Sequence, residues 1–348
     1  MKHPRMPVLV VLFALLAFSL TLAGCAEQKQ GISTSTPFLG GTNGLLVSFV
    51  REAPPESITD DGKYPFGIAL QLENSGEADV PFGGGYSEIV GINPVDFGLP
   101  TQAYLRSPLL KEGKLSGARK NFDGTIIPGM QTVVQFPFDP SKQISMLKYL
   151  PNLYGNTNVN VRANVCYDYR TKTTTKICVK QNLLAIEEKP PLCLVNEPKN
   201  PQNSGAPVHI TAMSEAPIGE DKVQLTFTIS HVGAPTDSFF AVGSDCDDSI
   251  TNPQKYVVFV NVTSDVNGAF ADCSGLEDPA EGAIVGPKGE RHGGFVRMYR
   301  GQPRTVTCTI DLSHVESTFE ELFEVELLYR YMQSIEKPML IRDVSVSN

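Results

Sequence analysis

Hydrophobic residues recur at every second position in four stretches of the chain. These are Phe66, Ile68, Leu70 and Leu72; Val161, Ala163, Val165, Tyr167 and Tyr169; Leu225, Phe227 and Ile229; and Phe323, Val325, Leu327, Tyr329 and Tyr331. Successive side chains of an extended strand point to opposite faces, so a period of two marks strands with one buried face. Two of the stretches run into turn signals, Asn74-Ser75-Gly76 and His231-Val232-Gly233. Only residues 141–150 (SKQISMLKYL) and 316–322 read as helical turns, and the 30 glycines and 26 prolines suit many turns and few long helices. The pattern predicts an all-β fold built of antiparallel β-sandwiches.

The same pattern occurs twice. Shifted by 162 residues, Val165-Cys166-Tyr167-Asp168-Tyr169 falls on Leu327-Leu328-Tyr329-Arg330-Tyr331. Residues 66–76 fall on 223–233 at a shift of 157, and Glu52-Ala53-Pro54 falls on Glu215-Ala216-Pro217 at a shift of 163. Three matches in one order predict an internal duplication. The copies are expected at 45–186 and 206–348, each folding on its own, with a Pro- and Asn-rich linker at 187–205. Both exceed the roughly 100 residues of a simple immunoglobulin-like sandwich. The excess falls in the loops 83–131 and 234–302, where a binding surface is expected, with Tyr86, Phe97, Tyr104 and Leu105 as candidate anchors, although ordinary packing is the plainer reading of these four side chains.

The N-terminal region reads differently. Lys2 and Arg5 precede the apolar run 8–20, and Leu22-Ala23-Gly24-Cys25 follows. A charged start, a short apolar core and small residues before a cut site predict a secretory signal over 1–24. The cysteine directly after Leu-Ala-Gly resembles the lipobox of bacterial and archaeal lipoproteins, which implies lipidation of Cys25 and a membrane partner through that anchor. Residues 25–44, polar and rich in Ser, Thr and Gly, then form a flexible stalk. The expected location is the extracellular face of the cell membrane.

Setting Cys25 aside leaves six cysteines, 166, 178, 193, 246, 273 and 308, the even number that a disulfide framework in an oxidising compartment requires. A hairpin turning at Lys172 would place Cys166 opposite Cys178 within disulfide reach. Leu328 and Leu340 would then pair about Ser334 at the matching places. The other four cysteines allow three connectivities, among which Cys273 with Cys308 and Cys193 with Cys246 is favoured.

Candidate chemistry is sparse. The cluster Ser244-Asp245-Cys246-Asp247-Asp248-Ser249 offers carboxylates to calcium but lacks the glycine and the downstream glutamate of an EF-hand loop, so a solvated loop is the plainer reading of Asp245, Asp247 and Asp248. Asn261-Val262-Thr263 is an N-glycosylation sequon; it leaves Asn261 on the outer face if Val258, Val260 and Val262 point inward. His231 and His292 stand apart from other catalytic residue types. No nucleophile-elbow, zinc-protease, phosphate-loop or dinucleotide pattern occurs, so no catalytic residue, metal or cofactor is expected. The net charge of −9, without a basic patch, argues against a nucleic-acid partner.

The segment FGIALQLENSGEADV resembles the core strand of CARDB-type Ig-like surface modules, which share an alternating strand followed by Asn-x-Gly. The second copy departs from this with His231-Val232-Gly233. GGTNGLLVSF, VCYDYRTKTTTKICV, GAPVHIT and LLYRYMQSIEKP resemble pieces of uncharacterised secreted proteins of archaea. The resemblance implies two tandem Ig-like antiparallel β-sandwich domains on a surface lipoprotein. It further implies a binding or structural role in the envelope, with a protein or envelope partner. A subunit of a self-assembling array or filament is the alternative, and an extracellular hydrolase or its accessory module a more distant one.

Overall fold

A computed structural model describes residues 36–185, 191–264, 266, 271–277 and 293–344. Among these the chain is strand, loop and three short 3-10 turns, with no α-helix. The all-β expectation therefore holds. The two helical expectations do not. Within 141–150 Leu147 bridges to Phe66, and 319–322 opens a long strand.

The principal strands of the first half are β1 (Leu45–Phe49), β2 (Ile68–Asn74), β3 (Gly85–Val90), β4 (Arg106–Pro108), β5 (Gln131–Phe136) and β6 (Thr157–Val179). Those of the second are β7 (Val208–Pro217), β8 (Lys222–His231), β9 (Ser238–Phe240), β10 (Val257–Ser264), β11 (Gly293–Arg297), β12 (Arg304–Asp311) and β13 (Phe319–Arg342). One sheet of the first half has the order β1-β2-β5. Its counterpart, β7-β8-β12, is extended by the short strand Glu197–Lys199 beside β7 and by Ala271–Ser274 beside β12. A large sheet of order β11-β10-β13-β6-β3-β4 runs through both halves.

β6 and β13 join the halves. They pair antiparallel from Thr157↔Ile341 to Val179↔Phe319, with Asp168 opposite Arg330 at the centre. The 162-residue shift maps Asp168 onto Arg330, so the matched motifs lie beside each other about a local pseudo-twofold axis. The other matches agree with it: Leu45 pairs with Asn74 in one half and Val208 with His231 in the other.

The hairpin expected at Lys172 is absent because the chain runs straight through it. Residues 170–176, Arg-Thr-Lys-Thr-Thr-Thr-Lys, offer none of the Gly, Asn, Asp or Pro that a tight turn needs, and their β-branched threonines favour extension. Thr171, Thr173 and Thr175 continue the inward face and are buried. Their hydroxyls are satisfied: Thr171 Oγ1 donates to the Val208 carbonyl and Thr173 Oγ1 to Asn203 Oδ1. Leu328 and Leu340 do not pair with each other, since they face Arg170 and Asn158 across the ladder.

Twelve residues apart on one strand, Cys166 and Cys178 are far out of disulfide range, at about 3.3 Å per residue. Cys166 bonds instead to Cys246 (Cα separation 6.2 Å) and Cys178 to Cys193 (5.6 Å), while Cys273 pairs with Cys308 as expected. The expected linker is also built in. Glu197–Lys199 pairs with β7, Gln202–Asn203 pairs with β6, and Cys193 is tied to β6. The described residues from 37 onward cluster as one unit, and the larger of their two apolar clusters runs from Leu45 through Tyr167, Phe227 and Tyr331 to Ile341.

This architecture predicts that segments 37–185 and 191–348, expressed apart, stay unfolded or aggregate. Each would expose a strand edge 23 residues or longer, and the Cys166–Cys246 bridge between them would be lost. Coexpression under oxidising conditions should restore a soluble 1:1 complex with one cooperative melt, measurable by sedimentation and circular dichroism. A non-reducing peptide map should give 166–246, 178–193 and 273–308. In denaturant titrations, removing Cys166–Cys246 should cost about 4–5 kcal/mol and removing Cys178–Cys193 about 3, because the first closes the longer loop.

Candidate functional site

Four tyrosines line the inner face of the β6–β13 ladder at its centre. Tyr167 lies opposite Tyr331 and Tyr169 opposite Tyr329, and all four are buried. Ring centroids stand 5.5 Å apart for Tyr167–Tyr169, 5.8 Å for Tyr167–Tyr331 and 6.4 Å for Tyr329–Tyr331, each edge-on as aromatic quadrupoles prefer. A buried phenol requires a partner for its hydroxyl, and each has one. Tyr169 donates to Asn74 Oδ1 at 3.0 Å, while Tyr167 accepts from the Leu45 amide at 3.1 Å and lies 3.3 Å from Gln333 Oε1. Tyr329 lies 3.0 Å from Thr171 Oγ1. Tyr331 lies 3.0 Å from Asp237 Oδ2 and 2.9 Å from His231 Nε2. With Asp237 ionised, Tyr331 donates to it and accepts from the protonated Nε2 of a neutral His231.

Asn74 and His231 thus serve matching tyrosines from matching strand ends, which accounts for the departure from Asn-x-Gly in the second copy. The repeated glycine has a cause too. A Cβ on Gly76 would sit 2.1 Å from the Tyr169 hydroxyl, and one on Gly233 would sit 2.2 Å from that of Tyr331. Asn74 is itself fully engaged, its amide donating to the carbonyls of Ala78 and Leu115.

Burial sets the electrostatics. Desolvation pushes all four phenols above their ordinary range. It also raises Asp237, against the hydrogen bond from Tyr331, and lowers His231. His209 is lowered as well, and its Nε2 is buried without a hydrogen-bond partner. Neutral, enclosed phenols hold the two halves together by hydrogen bonding and packing; they present no exposed nucleophile with its base.

The outer face of the same centre is polar. Asp168 takes a two-point bond from Arg330, at 2.7 Å from Nε and 3.0 Å from Nη2, and Arg330 Nη1 reaches the Ser244 carbonyl at 2.6 Å. The ion pair in turn holds Arg330 above its ordinary value. The Cys166–Cys246 bridge packs with Phe240, Met332 and Tyr86, and the Arg106 guanidinium lies 3.6 Å above the Tyr86 ring.

The acidic loop is tied down here by Cys246, but its carboxylates do not converge. Asp248 faces the Lys255 ammonium at 2.6 Å and accepts from Ser238, while Asp247 accepts from the Ser249 amide and hydroxyl within its own turn. Among the described residues no group of three or more His, Cys, Asp or Glu side chains could hold a metal ion.

Asn261 is half-buried in β10, facing Glu326 on one side and Gly293 on the other, with Val258, Val260 and Val262 buried in the core. Of the expected loop anchors, Phe97 and Leu105 are core residues and Tyr104 packs against them, so only Tyr86 is available at the outer face. Cys25 and His292 lie outside the described residues. Asp237, Gln333, Thr171 and the Asp168–Arg330 pair were not anticipated. A signal for the last is present, since the two copies of the motif differ by opposite charges at its middle position.

No family model and no curated protein matches this chain.

The buried histidines predict a pH dependence. In the unfolded chain each returns to about 6.5, so there the unfolded state binds more protons than the folded one. Their contribution to stability is complete above about 6.5 and declines as pH falls through that value toward the lower folded pKa. Asp237 and Glu215, raised by burial, act in the opposite sense, so the comparison is between variants. His231→Asn, which copies Asn74, should alter stability at pH 7.5 by no more than about 1 kcal/mol. It should also flatten the fall between pH 6.5 and 5 in urea titrations.

Proposed function

We propose that the chain is a lipid-anchored cell-surface protein whose disulfide-braced body has a binding or structural role in the envelope. The observation that carries this reading is the use of cysteine. All six cysteines outside the lipobox pair with one another, so Cys25 is left without a disulfide partner in the chain, as a lipid carrier requires. Three disulfides suit an oxidising, extracellular setting. Among the described residues no helix is long and apolar enough to cross a membrane. Attachment in this reading comes from the lipid and the polar stalk at 25–44.

The body is read as two modules of Ig-like kind, of the sort the CARDB resemblance implies, fused through one shared sheet. Such a fusion resists bending between modules, which suits a rigid spacer or scaffold. Buried and part-buried polar side chains hold the fold: Glu77 accepts from the amides of Leu39, Gly40 and Gly205, and Glu215 from that of Cys178. This favours scaffolding over hydrolysis. Any partner would meet the exposed loops and edges, not the tyrosine layer.

Mass spectrometry of the native protein should find a lipid-modified Cys25 at the mature N-terminus. The Cys25→Ser form should move from the membrane to the soluble fraction with its melting temperature unchanged. Recovery of an unmodified N-terminus from the membrane fraction would sink the anchor.

A further inference from the structure

The two halves end their smaller sheets differently. Beside β12 the chain lays Ala271–Ser274 antiparallel and fastens it through Cys273–Cys308. β5 has the same place next to β2, yet among the described residues no strand forms a ladder with its outer edge; β4 only closes on its far end, where the Phe138 amide donates to the Tyr104 carbonyl.

The direction of its backbone groups follows from two bonds. The Val50 amide donates to the Ala69 carbonyl and the Asn74 amide to the Met130 carbonyl. Residues of an antiparallel strand bond alternately to one neighbour and the other. Ile68, Leu70 and Leu72 therefore engage Phe136, Val134 and Thr132, as the register requires. Gln131, Val133 and Gln135 consequently aim their amides and carbonyls out of the sheet edge.

Natural edges are guarded by charge, proline or a bulge. Gln131-Thr132-Val133-Val134-Gln135-Phe136 carries no charge and no proline, and its register to β2 is unbroken. Apolar side chains surround it: Val133 is 53% exposed, Met130 52% and Ile126, in the hairpin just before, 63%.

We propose that β5 pairs with β5 of a second copy of this chain, antiparallel about a twofold axis at Val133, to make one six-stranded sheet. The edge is complementary to itself. With Val133 opposite Val133, Gln131 meets Gln135 twice, and all three outward-facing positions find partners. Pairing of like edges disfavours like charges in the strand, and β5 itself carries none; the nearest, Glu73, lies opposite Gln131 on β2 and is engaged by its side-chain amide. The chain already joins its own halves by the same device, antiparallel pairing of matching strands. This inference does not rest on the lipid anchor.

The test is sedimentation velocity of the full mature chain carrying Cys25→Ser with its disulfides oxidised. Concentrations should run from about 1 μM to about 100 μM, where a modest interface dissociates. A dimer should grow in with concentration. Val133→Lys and Val133→Glu, at an exposed position, should each melt like the wild type and weaken the dimer at least about tenfold, since like charges then face each other across the axis. An equimolar mixture of the two should regain the dimer, because Lys now faces Glu. Gln135→Lys mixed with Gln131→Glu gives a second charge pair if either Val133 variant folds poorly. A wild type that stays monomeric throughout, a dimer indifferent to both charges, or a mixture no better than its components would overturn the proposal. So would a monomer whose β5 instead captures a strand of another protein.

Discussion

The antiparallel pairing of β6 with β13 is the constraint on which the rest of the structure depends. A ladder of 23 residue pairs satisfies the facing edge of each long strand at once and fixes their register. A slip of one residue would turn every side chain to the opposite face, sending the tyrosines to solvent and Asp168 and Arg330 into the core. The inner alternation of Val, Thr, Phe and Tyr and the outer ladder of charges therefore specify the same register from opposite sides. On the outer side Arg162 faces Glu336, Asp168 faces Arg330 and Lys176 reaches Glu320. The exposed pairs among these add little stability one by one; their value is in excluding other registers.

Once that register is set, the tyrosine layer follows. The hydroxyl of Tyr167 meets the Leu45 amide at the start of β1, that of Tyr329 meets Thr171, which donates to the Val208 carbonyl at the start of β7, and those of Tyr169 and Tyr331 arrive at the ends of β2 and β8. Each smaller sheet is thereby pinned to the shared sheet by hydrogen bonds as well as by packing. Gly76 and Gly233 make room for the hydroxyls; Asn74 accepts from Tyr169, while His231 pairs with Tyr331, whose own proton goes to Asp237. One departure from strict repetition falls where the two copies touch. An Asp in one motif answers an Arg in the other, where identical residues would have placed like charges face to face.

The differences between the halves bear on function more than their likeness does. The second half spends cysteines to cover its sheet edge with Ala271–Ser274 and to pin the acidic loop over Arg330. The first half leaves β5 open. The proposed self-pairing rests on this difference between the halves. The proposed envelope role and the proposed self-pairing edge are compatible: molecules anchored as proposed would share one plane, and a twofold contact between their bodies would couple them in pairs.

The sequence by itself determined the strand content, the duplicated order, the inward face of nearly every long strand and the even set of disulfide cysteines. These are local or periodic properties, set by side-chain alternation and composition. What only the tertiary structure decided was partnership. The cysteines of Val165–Val179 suggest a local hairpin, yet the stretch lacks turn residues, and its partner strand lies about 160 residues away in sequence. Cys166 and Cys178 found Cys246 and Cys193 because strand pairing had already carried those loops to them. Phe97 and Leu105 sat in a segment that looked like an exposed loop but folds onto the core. Buried polar partners such as Asp237 and Thr171 follow the same rule. No period marks them, since a hydrogen bond across the core depends on which strands become neighbours, and that is fixed by long-range pairing.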